Sequence, residues 1–367
     1  MTLTAFRTLG RSGLVISPMA LGAMTFGTQG WGTDETGSRA IFDAYVEAGG
    51  NFIDTADVYS GGQSERLVGR FVKDAGLSDR IVVATKSGFG TSNHPHSGGN
   101  GAKHVRAAVE GSLKRLGMDA IDLYWVHVWD MVTPAEELLE TLSGLIHSGK
   151  IRYYGLSNVP AWYAAQLATL AKVHGMPGPV AVQFEYSLVE RGVEAELIPV
   201  AEVFGMGLVP WSPLGGGFLT GKYSRDDSAN RSGKSVPSLP DGKARESSGG
   251  TGRLSGSNPF GDSKFTDRNW SVLEAVKAVA REVDVTPAQV ALAWLSARRP
   301  VDAILIGASR PSQVADNAEA LAVSLSADQT RRLDAASEPQ PSYPSTLFTP
   351  FVNRLVFGGA EVKASGR

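Results

Sequence analysis

The sequence predicts an α/β protein built as a (β/α)8 barrel. Short apolar runs rich in β-branched residues alternate with longer segments of helical period, a pattern typical of βαβ units and a parallel sheet. Eight strands are predicted, at residues 19–22, 51–54, 81–85, 121–126, 153–157, 180–185, 207–211 and 303–306. Eight strand–helix units favour a closed barrel over an open doubly wound sheet, with residues 1–367 as a single domain.

The other regular elements follow from local patterns. Residues 6–16 surround two glycines and predict a small β-hairpin that plugs the bottom of the barrel. Glycines 49 and 50 end the first helix, because glycine accepts the left-handed conformation found there. Thr286, Pro287 and Gln289 form a capping box with proline at the first helical position. Helices are predicted at residues 34–48, 64–72, 103–116, 134–147, 161–173, 194–204, 267–282, 287–297 and 312–320.

Two long segments lack periodicity. Residues 224–264 follow the seventh strand, are rich in Ser, Gly, Asn, Asp and Pro, and predict a long irregular rim loop. Loops of this length in a compact domain are usually functional or disordered. Residues 338–367 predict an irregular C-terminal tail. We expect it to pack against some surface of the protein, with the active face as one option, because it carries several aromatic residues, namely Tyr343, Phe348, Phe351 and Phe357.

Composition and charge exclude several classes of function. The net charge is −2 without a basic cluster, so nucleic acid is not an expected partner. The chain has no cysteine, which excludes disulfides and thiol catalysis and fits a reducing compartment. No apolar stretch approaches the ~20 residues that span a bilayer, and the N-terminus lacks the apolar region of a signal peptide. We therefore expect a cytoplasmic protein without a membrane partner; the oligomeric state is not predicted.

Four polar residues follow three of the predicted strands. Asp54 ends the second strand and Tyr59 lies in the next loop, while Lys86 and His127 follow the third and fourth strands. Active sites of such barrels lie at the carboxyl ends of the strands, which share one rim. The four side chains are therefore predicted to converge, although each alone has an ordinary structural explanation.

These residue types together suit proton transfer to a carbonyl group that receives a hydride. Tyrosine has an unperturbed pKa of ~10, and a nearby ammonium lowers such a pKa by roughly 1–3 units. Lys86 is predicted to act in this way on Tyr59, with Asp54 keeping the lysine charged and oriented. His127 is predicted to donate a hydrogen bond to the substrate oxygen.

Motifs along most of the chain resemble those of the aldo-keto reductases, in the style of bacterial aryl-alcohol dehydrogenase-like members. The first is NFIDTADVY at residues 51–59, followed by Ser64, Glu65 and Gly69. The others are ATK at 84–86, IDLYWVH at 121–127, GLSN at 155–158, QFEY at 183–186, PWSPLG at 210–215, and IGASR at 306–310 with Gln313 and Asn317. The catalytic tetrad of that family maps onto Asp54, Tyr59, Lys86 and His127.

The resemblance implies NADPH or NADP⁺ as cofactor and a small-molecule carbonyl or alcohol as substrate. Ser157, Asn158 and Gln183 would hold the nicotinamide carboxamide, and Trp211 would stack on the nicotinamide ring. The residues implied around the pyrophosphate, where glycines allow close backbone approach, are Ser212, Pro213, Leu214, Gly215, Gly217, Leu219 and Lys222. The implied contacts with the adenosine 2′-phosphate at a helix start are Ser309 and Arg310. The remaining implied cofactor contacts are Gly22, Met24, Asp54, Gly307, Gln313, Asp316 and Asn317.

One departure from the family pattern concerns the choice of cofactor. Gly307 and Ala308 stand where many members have a lysine–serine pair, and the chain instead resembles the branch with a Gly-x-Ser-Arg motif. Arg310 supports NADPH, and NADH stays open as an alternative.

Other patterns that bear on phosphate, dinucleotide or metal binding do not outweigh the aldo-keto reductase resemblance. Residues 216–222 nearly form a phosphate-binding P-loop, but Tyr223 stands where serine or threonine is required. No G-x-G-x-x-G motif follows an early strand, which argues against a Rossmann dehydrogenase. His94 and His96 suggest a metal, but surface histidines are the preferred interpretation, and we expect no metal site.

Aromatic residues in the rim loops are candidates for substrate contact. Trp31 and Trp129 follow the first and fourth strands, and Phe89 follows the third. Such rings at the mouth would make an apolar wall, so these three join Tyr59 and His127 as predicted substrate contacts. Core packing is the alternative for each of the three.

The sequence therefore predicts reversible hydride transfer between NADP(H) and a carbonyl/alcohol pair, with Tyr59 as general acid or base. Two alternatives stay open. The same resemblance extends to β-subunits of potassium channels, which bind cofactor but act as regulatory modules. The other alternative is a barrel enzyme without redox chemistry.

Overall fold

The computed structural model describes residues 3–28, 32–225, 254 and 264–363. The predicted loop at 224–264 lies almost wholly outside the described residues, and Trp31 lies outside them as well.

Eight parallel strands form one curled sheet. They are β3 (Met19–Gly22), β4 (Phe52–Asp54), β5 (Val82–Ser87), β6 (Ile121–Val126), β7 (Ile151–Ser157), β8 (Ala181–Gln183), β9 (Gly207–Leu208) and β10 (Ile304–Gly307). Each strand pairs with the next along the chain, and β10 returns to pair with β3. The curl closes because Leu208 and Val301 form a β-bridge and the N–H of Leu305 donates to the carbonyl of Pro210 at 3.0 Å. The predicted (β/α)8 barrel is confirmed.

Helices connect the strands and cover the outside of the barrel. In the described residues they are α1 (Glu35–Glu47), α2 (Gln63–Asp74), α3 (Ala102–Leu116), α4 (Ala135–His147), α5 (Ala161–His174), α6 (Leu197–Phe204), α7 (Asp267–Glu282), α8 (Pro287–Ser296), α9 (Ser312–Glu319), α10 (Ala327–Ala336) and α11 (Pro350–Val356). Short 3-10 turns lie at Ala23–Thr25, Tyr59–Gly62, Pro95–Ser97, Gly192–Glu194, Gly215–Thr220, Ala320–Ala322 and Ser345–Leu347. The predicted capping box of Thr286 and Gln289 is present at the start of α8. None of the described helices is both long enough and apolar enough to cross a lipid bilayer.

The predicted N-terminal hairpin is confirmed and lies against the bottom of the barrel. Its strands are β1 (Arg7–Thr8) and β2 (Val15–Ile16), joined through Gly10. The N–H of Gly10 donates to Asp302 Oδ2 at 2.6 Å. A Cβ at position 10 would lie 2.4 Å from the carbonyl of Val180, and φ there is +54°. Glycine is therefore required where the hairpin meets the starts of β8 and β10.

The barrel interior is a separate apolar core beneath the rim. It consists of Leu9, Leu14, Ile16, Ala20, Phe52, Val82, Ala84, Leu123, Trp125, Ala181, Val209 and Ala303. The Trp125 ring fills its centre so closely that a Cβ at Gly155 would lie 2.3 Å from it. Polar side chains lie above this layer, at the carboxyl ends of the strands.

The C-terminal segment differs from the prediction. Helix α10 was not predicted, although Ser326 and Gln329 form a capping box at its start. The tail contains a further helix, α11, and its aromatic side chains stay exposed in the described chain. Within the described residues, the expectation that the tail packs through these rings, over the active face or elsewhere, was therefore wrong. Aromatic content alone predicted burial, but it could not identify a surface to receive the rings.

Candidate active site

The four predicted polar residues meet at one end of the barrel. Asp54 is the last residue of β4, Lys86 lies near the end of β5, and His127 directly follows β6. Tyr59 begins the 3-10 turn after β4. The three strands are parallel neighbours, so their carboxyl ends share the rim as expected.

A buried ion pair joins Lys86 to Asp54. The ammonium donates to Asp54 Oδ1 and, at 2.8 Å, to the carbonyl of Thr55. The two side chains are 0% and 1% exposed, respectively. Burial disfavours the ammonium, but the Asp54 carboxylate and the Tyr59 hydroxyl outweigh this effect and raise the pKa of Lys86. The lysine is therefore a fixed positive charge next to the tyrosine.

Gln183 supports the same carboxylate from the other side. Its Nε2 donates to Asp54 Oδ2 at 3.0 Å from the end of β8. Both oxygens of Asp54 thus have hydrogen-bond donors, as a buried carboxylate requires. The sequence assigned Gln183 only to the cofactor and missed this contact.

Tyr59 lies between the ammonium and the imidazole. Lys86 Nζ is 5.0 Å from the centroid of the Tyr59 ring, and the Tyr59 hydroxyl hydrogen-bonds with it. The Tyr59 and His127 ring centroids are 5.8 Å apart with an interplanar angle of 82°. The following residue, Ser60, is left-handed at φ +50°, and its hydroxyl donates to the carbonyl of Phe26 at 3.0 Å. This contact fixes the turn that places the phenol.

His127 is buried and neutral. Burial and the positive charge of Lys86 hold the pKa of His127 well below its ordinary value. None of the described residues hydrogen-bonds with its Nδ1, although that atom is buried. A neutral imidazole has one N–H to donate, which suits a contact with a substrate oxygen.

Three predicted nicotinamide contacts lie beside this group. Asn158 Nδ2 donates to the carbonyl of His127 at 2.8 Å and to Ser157 Oγ at 2.9 Å. Trp211 Nε1 donates to Asn158 Oδ1 at 3.3 Å, and the indole is half-buried. Asn158 has φ +50°, so its amide is held at the end of β7 by a strained backbone.

The predicted pyrophosphate segment is a tight, glycine-rich turn. Ser212, Gly215, Gly216 and Gly217 all have positive φ. Pro213 is buried, Leu214 is half-buried, and Lys222 is exposed at the end of the turn. The Leu219 side chain is 0% exposed within the hydrophobic core, so only its backbone can face a ligand. The sequence motif could not show which residues of the turn point into the core, such as Leu219, and which are exposed, such as Lys222.

The predicted adenosine contacts surround the start of α9. Ser309 and Arg310 are exposed, and Gln313 reaches back to accept from the N–H of Ser309 at 2.8 Å. Asp316 is exposed and Asn317 is buried. Gly22 pairs with both Gly307 and Asp54 at the ends of their strands, and Met24 is half-buried in the turn that follows.

Two of the three predicted substrate aromatics are described. The Phe89 ring is 46% exposed, and its centroid lies 4.7 Å from that of His127. Trp129 is half-buried and packs edge-on against Trp162 at 5.4 Å. Trp162, at the start of α5, is exposed and was not predicted as a rim residue, because nothing in the helical pattern distinguishes it. Among the described residues no group of three acidic or histidine side chains could hold a metal ion.

The fold and this geometry agree with comparisons to known proteins. The model of the Aldo/keto reductase family matches residues 18–338, and the chain belongs to that family. A norsolorinic acid reductase of Aspergillus flavus is 31% identical over 347 residues, covering 91% of this chain and 81% of the relative. An aryl-alcohol dehydrogenase of Pestalotiopsis microspora is 30% identical over 353 residues, covering 94% and 83%. A rice protein named "Probable voltage-gated potassium channel subunit beta" is 31% identical over 340 residues, covering 92% and 97%.

Proposed function

We propose that this chain is an NADP(H)-dependent oxidoreductase that interconverts aldehydes or ketones and alcohols, with Tyr59 as general acid and base. The buried Lys86–Asp54 pair against the Tyr59 phenol, with neutral His127 across from it, supports this most strongly. A structural role alone does not account for a fully buried lysine that faces a half-exposed phenol.

The residues along the rim suit a dinucleotide phosphate. Exposed cationic groups lie at both proposed phosphate positions: Lys222 ends the glycine-rich turn, and Arg310 precedes α9. The turn itself is shaped by successive positive-φ residues that present backbone rather than side chains. Ser157, Asn158, Gln183 and Trp211 would hold the nicotinamide end next to Tyr59. Bound NADPH supplies the hydride for reduction.

Each side chain of the tetrad has its own role in the proposed proton transfer. Tyr59 gives its proton to the substrate oxygen in reduction and takes it back in oxidation. Lys86 stabilises the phenolate that is left, and Asp54 keeps the ammonium charged and in place. His127 donates a hydrogen bond to the substrate oxygen and so aligns it with the phenol.

The substrates proposed first are aromatic aldehydes and ketones. Phe89 presents a half-exposed ring beside His127, and Trp129 on the neighbouring loop packs against Trp162 at the start of α5. Flat aromatic substrates gain from such ring contacts. One relative carries the name of an aryl-alcohol dehydrogenase, which supports the same choice.

A regulatory module that binds cofactor without significant turnover is the second candidate. The rice relative favours it, because its name is that of a channel subunit and it matches nearly this whole chain. The complete tetrad argues for turnover instead, since a module that only binds has no need for a buried lysine next to the phenol.

Cofactor titration followed by turnover tests the proposal. We expect NADPH to quench tryptophan fluorescence, because Trp211 is proposed to stack on the nicotinamide ring. We also expect a nitrobenzaldehyde to be reduced with matching loss of NADPH. Quenching without turnover across a panel of aldehydes and ketones would favour the regulatory module. Absence of both signals would favour a barrel without redox chemistry.

Arg310 should discriminate between the two nicotinamide cofactors. Arg310→Ala removes the charge proposed to meet the 2′-phosphate, so the Kd for NADPH should rise about 10- to 100-fold, as expected for a lost charge-assisted hydrogen bond. The Kd for NADH, which lacks that phosphate, should hardly change. Arg331→Ala, at another exposed arginine on α10, is the matched control and should alter neither constant. Equal weakening of both cofactors by Arg310→Ala would show that Arg310 does not recognise the phosphate.

A further inference from the structure

Asp57 is a second buried carboxyl group at the site, and the tetrad does not use it. It lies two residues before Tyr59 and is 5% exposed. Its backbone N–H donates to the carbonyl of Lys86 at 3.1 Å. None of the described residues hydrogen-bonds with its buried Oδ1. A buried polar atom without a partner is costly, which points to a functional reason for its retention.

The charges that face Asp57 come from three neighbouring elements. Glu65 on α2 and Arg115 on α3 are ion-paired to each other, and Glu65 also accepts from Thr85 Oγ1 at 2.6 Å. Arg115 is therefore already matched by a carboxylate. Lys86 on β5 is the third charge. Tyr124 on β6 is a further titratable group: burial raises its pKa, and the charge of Asp57 adds to this effect.

Asp57 consequently titrates near neutrality. Burial raises its pKa to about 7, with Glu65 adding to the shift, while Arg115, the N–H of Val58 and Lys86 partly oppose it. The group thus changes charge in the pH range around neutrality.

We propose that Asp57 is a positioning residue for the hydride-transfer reaction proposed above, on which this inference rests: through Lys86, its carboxyl controls how tightly Tyr59 holds its proton. When Asp57 is protonated, the Lys86 ammonium faces the Asp54 carboxylate alone and stabilises the phenolate strongly. When Asp57 is ionised, a second negative charge offsets the ammonium, and the phenolate becomes less favourable. Asp57 thereby keeps Tyr59 in its acid form, ready for reduction, as the pH rises.

The pH dependence of Asp57→Asn tests this directly. With NADPH and a nitrobenzaldehyde, kcat/KM for reduction should fall at high pH as Tyr59 ionises, and the variant should show this fall about one pH unit lower than the unchanged chain. Oxidation of the matching alcohol should begin at a correspondingly lower pH. Asp57→Glu, which keeps the charge, should restore the original profile. An Asp57→Asn profile that coincides with the original would overturn the proposal.

Asp302→Asn is the matched control. Asp302 is also a carboxyl group whose pKa is raised by burial, but it lies at the bottom of the barrel, where it accepts from Gly10. The same substitution there should leave unchanged the pH at which kcat/KM for reduction falls. A shift of equal size in both variants would count against a specific role for Asp57.

A titration that needs no turnover separates this inference from the proposed function. The ultraviolet phenolate signal of Tyr59 is obtained by subtracting the Tyr59→Phe variant, and it should appear at lower pH in the Asp57→Asn background. If no carbonyl is reduced but this shift occurs, only the proposed function fails. If reduction occurs, but Asp57→Asn shifts neither the phenolate signal of Tyr59 nor the high-pH fall of kcat/KM, only the inference fails.

Discussion

Tyr59→Phe should abolish turnover while leaving cofactor binding intact. The phenol is proposed to exchange a proton with the substrate oxygen, and phenylalanine keeps the ring but has no proton to give. General acid–base groups contribute about 10²- to 10⁴-fold, so kcat should fall by that amount. The NADPH Kd from fluorescence titration should stay within about twofold, since the hydroxyl is not assigned to the cofactor.

The matched control for this variant is Tyr343→Phe in the exposed tail. Its side chain is 81% exposed, so loss of that hydroxyl should change neither kcat nor Kd. An unchanged kcat in Tyr59→Phe would remove Tyr59 from its proposed role. A loss of NADPH binding in that variant would show that the ring or hydroxyl acts on the cofactor instead.

Lys86→Met should cost both turnover and stability. Methionine fills similar space, but it leaves the Asp54 carboxylate buried with Gln183 as its remaining side-chain donor. Breaking a buried ion pair in this way costs about 3–5 kcal/mol of unfolding free energy. Chemical denaturation measured at neutral pH should show this loss, and kcat should fall at least about 10²-fold because the phenolate loses its counter-charge.

The double variant Lys86→Met/Asp54→Asn separates the two effects. Asparagine removes the unpaired charge and still accepts from Gln183, so most of the lost stability should return while turnover stays low. If Lys86→Met alone were as stable as the unchanged chain, Asp54 would have to find another partner or a proton. If the double variant regained turnover, the positive charge would not be needed for the reaction.

The sequence predicted the barrel and the convergence of the tetrad because both follow from strand periodicity. Asp54, Lys86 and His127 each lie at or next to the carboxyl end of a strand, and the carboxyl ends of parallel strands share a rim whatever their exact bounds. The position of Tyr59 could be predicted only by assuming that its loop turns back towards the rim. The left-handed conformation of Ser60 makes this turn.

Other features depend on contacts between segments that no local pattern contains. Asp57 lies in the same motif as Asp54 and Tyr59, but the charges around its carboxyl group include Glu65 and Arg115, which come from two different helices. The motif also could not show that Leu219 points into the core. The exposed aromatics of the tail could not be placed because hydrophobicity predicts burial without naming a partner surface.

The most direct test of the account is a crystal structure of the chain with NADP⁺ and an aromatic carbonyl compound that is reduced slowly. The measurement is the distance from the Tyr59 hydroxyl oxygen to the carbonyl oxygen of the bound compound. We expect a hydrogen bond of about 2.6–3.2 Å, with His127 donating to the same oxygen. A carbonyl oxygen held by other groups, with the phenol out of reach, would contradict the proposed chemistry.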